Sequence, residues 1–306
     1  MRRAAHQVLI VAAAFSLCSV GSGASSPTRL SVNGPQYRIK LGPFVVPPAR
    51  TAGLEIDARI NGGPPFRLLL DSGAQCLVLD RRAAEKSRIT GGTDLDLVGA
   101  GAPAATLAKM ERAETVQVGG LVLRDVPVVI EKHKLADGIQ GVLPLSMFAA
   151  FLIRLDLPAK RLDLLPYPAE PEQPEDAIAT VSNHRLLFVK GAVNEKDEGY
   201  FLIDTGASYS AISETLARNL RISESLAERV PLQAGTAALN APLLRGSVRL
   251  RLGSTPVATD SVVAVDLSTG SRYHHLEISG LIGYPALSAS VLTVSYRDKF
   301  IRIESR

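Results

Sequence analysis

The chain has 306 residues, 46% apolar and 21% charged, enough for two domains around substantial cores. A formal net charge of +4, no Trp and only 5% aromatic residues argue against the basic, aromatic-lined surface that grips nucleic acid, so no nucleic-acid partner is expected. Its two cysteines and five histidines form no cluster with metal-ligand spacing, and no metal or other cofactor is expected.

Arg2 and Arg3 precede a short apolar run from Val8 to Val20, and Ser22-Gly23-Ala24 supplies small residues for cleavage. Residues 1–24 therefore read as a signal peptide, too short for a comfortable membrane span. The expectation is an exported protein, periplasmic or secreted, with no stable membrane span after cleavage. Cys18 suggests a lipoprotein, but Leu17 is larger than the small residue usual before a lipidated cysteine. Cleavage removes Cys18 and leaves Cys76 as the one cysteine, so no intrachain disulfide can form. Core burial must then stabilise the fold, and Cys76, on an apolar strand, reads as a small core residue. Residues 25–51 form an N-terminal segment whose apolar part, Tyr37 to Val46, favours an edge strand over a pro-segment.

The apolar run Leu68-Leu69-Leu70 ends in Asp71-Ser72-Gly73-Ala74. A carboxylate at the end of a buried strand is costly unless something requires it there. Residues 68–89, LLLDSGAQCLVLDRRAAEKSRI, align without a gap with residues 201–222, FLIDTGASYSAISETLARNLRI, so Asp71 falls on Asp204. After each glycine comes a second short apolar strand, Leu77-Val78-Leu79 or Ala211-Ile212. Asp80 or Ser213 then offers an N-cap for a short helix. Further on, Gly138-Ile139-Gln140-Gly141 is matched with Gly280-Leu281-Ile282-Gly283, each preceding a short helical segment. In that alignment Gln140 stands where the second half has Ile282, and a Gln against a sheet needs hydrogen-bond partners. Each half closes on a period-two pattern: Ile153, Leu155, Leu162 and Leu164 in the first, Leu292, Val294, Ile301 and Ile303 in the second.

His274 and His275 are adjacent, cannot share one face of a regular element, and read as loop residues. Between the halves, residues 166–175 hold four prolines and three glutamates and cannot pack as a core strand. The expected architecture is all-β. Two pseudo-twofold-related lobes, residues 52–166 and 177–306, are each a small closed β-barrel or sandwich with one or two short helices. Residues 167–176 link them.

Two carboxylates about 3 Å apart cannot both ionise and share a proton, so one acts as base while the other acts as acid. Such a pair can activate a water for attack on an amide. With Asp-Ser/Thr-Gly-Ala in both halves and Leu281-Ile282-Gly283 before the last helix, the sequence resembles the retropepsin-type aspartic proteases in a single-chain form. The resemblance spans about residues 52–306. It implies an aspartic endopeptidase with Asp71 and Asp204 as the catalytic dyad and Ser72, Gly73, Thr205 and Gly206 as its supports. It also implies flexible hairpins over the substrate, with Gly99, Gly101 and Gly235 as candidates by position. The implied partner is a peptide or unfolded protein, and the implied state a monomer whose two halves form an intramolecular pseudo-dimer. Ala74 and Ala207 cannot donate a side-chain hydrogen bond to the dyad, which predicts a mildly acidic to near-neutral optimum. The alternative is a non-catalytic peptide-binding or envelope-interaction protein on the same scaffold, with the two carboxylates held apart.

Overall fold

The computed structural model of the chain describes residues 29–31, 37–46, 50–97, 106–131, 135, 138–171, 173–222, 228–234, 237–244, 248–257 and 262–305. The expected signal peptide and the three glycines Gly99, Gly101 and Gly235 lie outside the described residues.

The first lobe opens with three short strands, β1 (Arg29–Ser31), β2 (Tyr37–Lys40) and β3 (Gly42–Val46). The body of the lobe follows: β4 (Arg50–Ile60), β5 (Pro65–Asp71), β6 (Leu77–Asp80), α1 (Arg81–Lys86), β7 (Thr93–Leu97), β8 (Thr106–Val118) and β9 (Leu121–Glu131). It ends with β10 (Gly141–Pro144), a 3-10 turn at Leu145–Phe148, and the hairpin β11 (Leu152–Asp156) and β12 (Arg161–Leu165). The second lobe repeats the plan. Its first part is β13 (Ile178–Asn183), β14 (Leu186–Val193), β15 (Lys196–Asp204), β16 (Ser210–Ser213) and α2 (Glu214–Asn219). Then come β17 (Arg229–Ala234), β18 (Ala237–Pro242), β19 (Leu250–Leu252), β20 (Thr255–Val257) and β21 (Val262–Val265). It closes with α3 (Ser268–His274), β22 (Ile278–Gly283), α4 (Tyr284–Leu287), β23 (Ser290–Ser295) and β24 (Phe300–Ser305).

In the first lobe the order β9-β6-β10-β5-β4-β8 returns to β9, which closes a barrel. The continuous apolar run of β5 has a physical reason: both of its faces are covered. Leu68 and Leu70 enter the main core, while Leu69 packs with Val129, Val142 and Ala108 on the opposite side. Side chains so placed each contribute about 1.5–3 kcal/mol of burial. The helix caps fall where the sequence put them: Asp80 Oδ1 accepts the Ala83 N–H (2.7 Å) and Ser213 Oγ accepts the Leu216 N–H (3.1 Å).

β10 inserts between β5, to which it runs parallel, and β6, to which it runs antiparallel. β22 does the same between β15 and β16. This register corrects the second half of the repeat alignment. Gly141 pairs with Leu79 as Gly280 pairs with Ile212, and Pro144 lies opposite Asp71 as Gly283 lies opposite Asp204. The true counterpart of Leu281-Ile282-Gly283 is therefore Val142-Leu143-Pro144. Gly141 and Gly280 are fixed by space, since a Cβ there would strike Val78 O or Ala211 O of the neighbouring strand. Gln140 precedes this element and is no defect in it. Its Oε1 accepts the Arg67 N–H (2.7 Å), and its N–H donates to Arg67 O (3.0 Å).

The edge strand expected over Tyr37 to Val46 is two strands: β2 ends the sheet that runs β2-β12-β11-β23-β24-β13 through both lobes, and β3 pairs with β4 in the first-lobe sheet. The histidine pair is not in a loop. His274 is the last residue of α3, buried, with Nδ1 against Asn183 Oδ1 (2.9 Å), and His275 takes the left-handed cap at φ 49°. Burial, with a smaller contribution from His184, pushes His274 down to about 4. The linker is tied down as well. Tyr167 Oη donates to Ala149 O (3.3 Å) and accepts the Tyr296 N–H (3.1 Å).

Candidate active site

Asp71 ends β5 and Asp204 ends β15, each at the point where the chain must turn to let β10 or β22 pass. Both carboxylates are fully buried. The structure brings them together. Asp204 lies within hydrogen-bonding reach of Asp71. Each also lies against the opposite lobe's glycine: a Cβ on Gly73 would come 2.6 Å from Asp204 Cγ, and one on Gly206 would strike Asp71 Cγ. Glycine is required at both positions because the partner carboxylate occupies the space a side chain would need.

Ser72 and Thr205 cross the lobe boundary in a reciprocal set of four hydrogen bonds. The Ser72 N–H donates to Thr205 Oγ1 (3.1 Å), and the Thr205 N–H donates to Ser72 Oγ (3.0 Å). The Ser72 hydroxyl donates to Ile203 O (2.7 Å), and the Thr205 hydroxyl donates to Leu70 O (3.1 Å). Ile203 and Leu70 are themselves equivalent in the repeat. Each hydroxyl thus donates and accepts at once, with no buried polar atom of the bracket left over. Loss of one hydroxyl would orphan a backbone N–H and a carbonyl of the other lobe.

The carboxylates are held by backbone donors. Asp71 Oδ1 accepts the Gly73 N–H (2.6 Å). Asp204 Oδ1 accepts the Gly206 N–H (3.1 Å) and the Ala207 N–H (2.9 Å). Asp71 Oδ2 is closed from solvent and makes no well-formed bond with a protein donor. Burial pushes the Asp71 carboxyl up, to about 6, against the downward pull of the Gly73, Gly206 and Ala74 backbone and of Asp204. Neither Ala74 nor Ala207 adds a side-chain donor.

Two apolar layers flank the pair. One packs Leu95, Ala108 and Met110 of the β7–β8 hairpin over Ala74, Cys76 and Val78. The other packs Val230, Leu232 and Leu239 of β17–β18 over Ala207, Tyr209 and Ala211. Residues 98–105 and 235–236, which join these hairpins and hold the candidate glycines, lie outside the described residues. Cys76 is a buried thiol in the first layer, as its sequence context implied.

Three features escaped the sequence. Gln75 and Ser208, equivalent in the repeat and four residues past each Asp, keep Nε2 and Oγ buried with no partner. The 133-residue offset itself pairs them, which was the available signal. Arg50 of the first lobe lies over the Tyr209 ring of the second, 4.6 Å from its centroid. Nothing local in the sequence connects those two positions.

A family model described as aspartyl protease matches residues 56–146 and 189–286, one segment in each lobe. No protein of curated function matches the sequence. Among solved structures the fold is similar to that of the aspartic proteinase from Irpex lacteus, with a TM-score of 0.53 over 88% of this chain and 97% of that one, at 11% identity. That likeness establishes the fold: two facing β lobes, as the repeat implied. The two matched segments cover more than half of the chain and contain Asp71 and Asp204, one each; the chain belongs to the aspartyl protease family.

Proposed function

We propose that the protein is an aspartic endopeptidase that hydrolyses peptide bonds with a water held between Asp71 and Asp204. The observation that carries this reading is the buried carboxyl pair with Asp71 Oδ2 lacking a protein donor. Two carboxyls buried this close together cannot both ionise, so the pair keeps one proton. The ionised member takes a proton from the water, whose oxygen attacks the peptide carbonyl carbon. The protonated member gives its proton to the carbonyl oxygen. In the resulting tetrahedral diol a proton passes to the amide nitrogen, the C–N bond breaks, and a carboxylic acid and an amine leave. The pair then holds one proton again, so no covalent intermediate and no cofactor are needed.

Gln75 Nε2 and Ser208 Oγ support a peptide substrate. Buried polar atoms without partners are costly, and an extended peptide main chain passing the dyad would supply acceptors and donors to both. The β7–β8 and β17–β18 hairpins flank that path, a setting for strand-like pairing. The action of a single chain as a monomer fits a site already complete within it. Export to a periplasm or to the exterior rests on Arg2, Arg3 and the apolar run to Val20, and N-terminal sequencing of protein recovered from the producing cells would test it.

The decisive test is digestion of an unfolded protein between about pH 3 and pH 8, read as new peptide termini by mass spectrometry. Wild type should cleave best at mildly acidic pH. Activity should fall as pH rises past the region of 6, where the pair loses its shared proton and with it its acid. Asp71→Asn and Asp204→Asn should each lose at least about a thousandfold in rate. Cleavage that survives in either variant sinks the mechanism, and folded wild type that never cleaves points to the non-catalytic binder.

A further inference from the structure

The two lobes differ at one place beside the site. In the second lobe Asn183 pairs with Leu186, so only His184 and Arg185 turn the β13–β14 hairpin. In the first lobe the equivalent pair is Phe44 and Gly53, and eight residues, 45–52, lie between them. The hairpin therefore overshoots its counterpart, with Val46 still paired to Arg50 on the extension. The extension's base sits against the other lobe: a Cβ on Gly53 would come 3.6 Å from Thr205 O, the carbonyl next to Asp204. Arg50, carried on the same strand, spreads its guanidinium over Tyr209, five residues past Asp204.

Stacking on Tyr209 satisfies the face of the guanidinium and fixes its plane, at about 0.5–2 kcal/mol. It does nothing for the N–H groups at the edge. Nη2 of Arg50 is shut from solvent and meets no hydrogen-bond acceptor, and no carboxylate pairs with Arg50 among the described residues. Guanidinium N–H groups withheld from water and left unbonded are unfavourable, because the cation cannot lose its charge to relieve them. A half-buried guanidinium held flat on a ring, with Nη2 left unbonded, is suited to a carboxylate, which it can hold by charge-assisted bonds. In the second lobe the shorter hairpin turns at His184 and Arg185, directly after Asn183, which is bonded to His274.

We infer that Arg50, held on Tyr209, is a specificity-determining residue that receives an acidic side chain, Asp or Glu, of a bound peptide at one fixed distance from the cut. This rests on the endopeptidase reading for its setting, but its test does not. The probe is a library of C-terminally amidated synthetic peptides in which each acidic member has an Asn or Gln twin. Wild-type cuts, mapped by mass spectrometry, should favour acid over amide at one subsite by roughly tenfold. Arg50→Gln should erase that ratio, Arg50→Lys should keep much of it, and Arg50→Glu should turn the preference to Lys and Arg. A residue that only braced the lobes would slow all peptides alike and leave the ratio unchanged.

In a second arm, Asp204→Asn protein on beads captures peptides from the same library, with and without Arg50→Gln. Acidic members should be enriched, and only with Arg50 present. Equal capture of acid and amide twins overturns the inference, as does enrichment that survives Arg50→Gln. A preference seen only when the peptides carry free C-termini also overturns it, since the chain end would then be the carboxylate recognised. Absence of cleavage by wild type would sink the endopeptidase reading alone, and the capture arm would still decide the role of Arg50.

Discussion

At the residue scale, the pair of carboxylates is defined by what surrounds it more than by its own chemistry. Two aspartates in water titrate near 4 and repel each other. Here Gly73 and Gly206 supply empty space instead of side chains, and the partner carboxylate fills it. The identity of the residue after Ser72 or Thr205 is therefore fixed by contact across the lobe boundary and not by the turn alone: neither glycine has a positive φ. This separates two explanations that predict different mutants. If the glycines served only backbone freedom, alanine would be tolerated at both. On the contact explanation, Gly206→Ala drives a methyl into Asp71, pushes the lobes apart and destabilises the protein by about 1–3 kcal/mol. Proteolysis should fall far more than that loss of folded protein explains. Denaturant titration beside the digestion assay measures both, and a stable, active Gly206→Ala enzyme would reject the contact explanation.

At the scale of elements, the inserted strand decides what could be read from sequence. The turn motif was legible because chain order and spatial order coincide there: β5, the turn, β6 and the capped helix follow one another with no insertion. The second motif was misaligned because both halves contain a Gly-x-x-Gly near the right place. Four-residue patterns rich in glycine recur by chance. Only the pairing of Gly141 with Leu79, and of Gly280 with Ile212, selects between the possible alignments. The apolar pair Val142-Leu143 was visible, but nothing in one sequence says that Pro144 can stand where Gly283 does. Pro144 fits because it ends the strand and its fixed φ of −69° suits the 3-10 turn that follows. The corrected register gives a sharp expectation for Gln140. Were it part of the apolar element, Gln140→Leu would stabilise the first lobe. Since its side chain instead accepts the Arg67 N–H, Gln140→Leu should cost about 0.5–1.5 kcal/mol in chemical denaturation. A gain in stability would restore the original alignment.

At the scale of the whole molecule, one approximate twofold axis organises two distant sets of contacts. The shared sheet pairs Ile153 with Val294, Arg154 with Thr293 and Leu155 with Leu292. By the register of the repeat, Ile153 corresponds to Leu292 and Leu155 to Val294, so the pairing maps onto itself and the axis passes between Arg154 and Thr293. The four-bond bracket of Ser72 and Thr205 maps onto itself under the same exchange. A carboxyl pair placed by these two constraints is rigid only while the lobes stay joined, which ties its geometry to the shared sheet. The main core agrees, since Leu155 and Leu164 of one lobe belong to the same apolar cluster as Leu292 and Ile301 of the other. The lobes should therefore unfold as one unit, and damage at the axis should reach the site. Thr293 is the place to test this, because its strand is paired on both sides, to Arg154 and to Arg302. Thr293→Pro removes a central ladder donor and inserts a ring, at a cost of about 3 kcal/mol or more. Thr293→Val keeps the backbone and should stay within about 1 kcal/mol of wild type. Calorimetry should give a single endotherm for wild type, with calorimetric and van't Hoff enthalpies in agreement. The proline variant should melt at a lower temperature, still in one step, and lose proteolysis although no residue of the dyad has changed. Two separable endotherms, or full activity in Thr293→Pro, would mean that each lobe holds its own aspartate in place and that the shared sheet only links them.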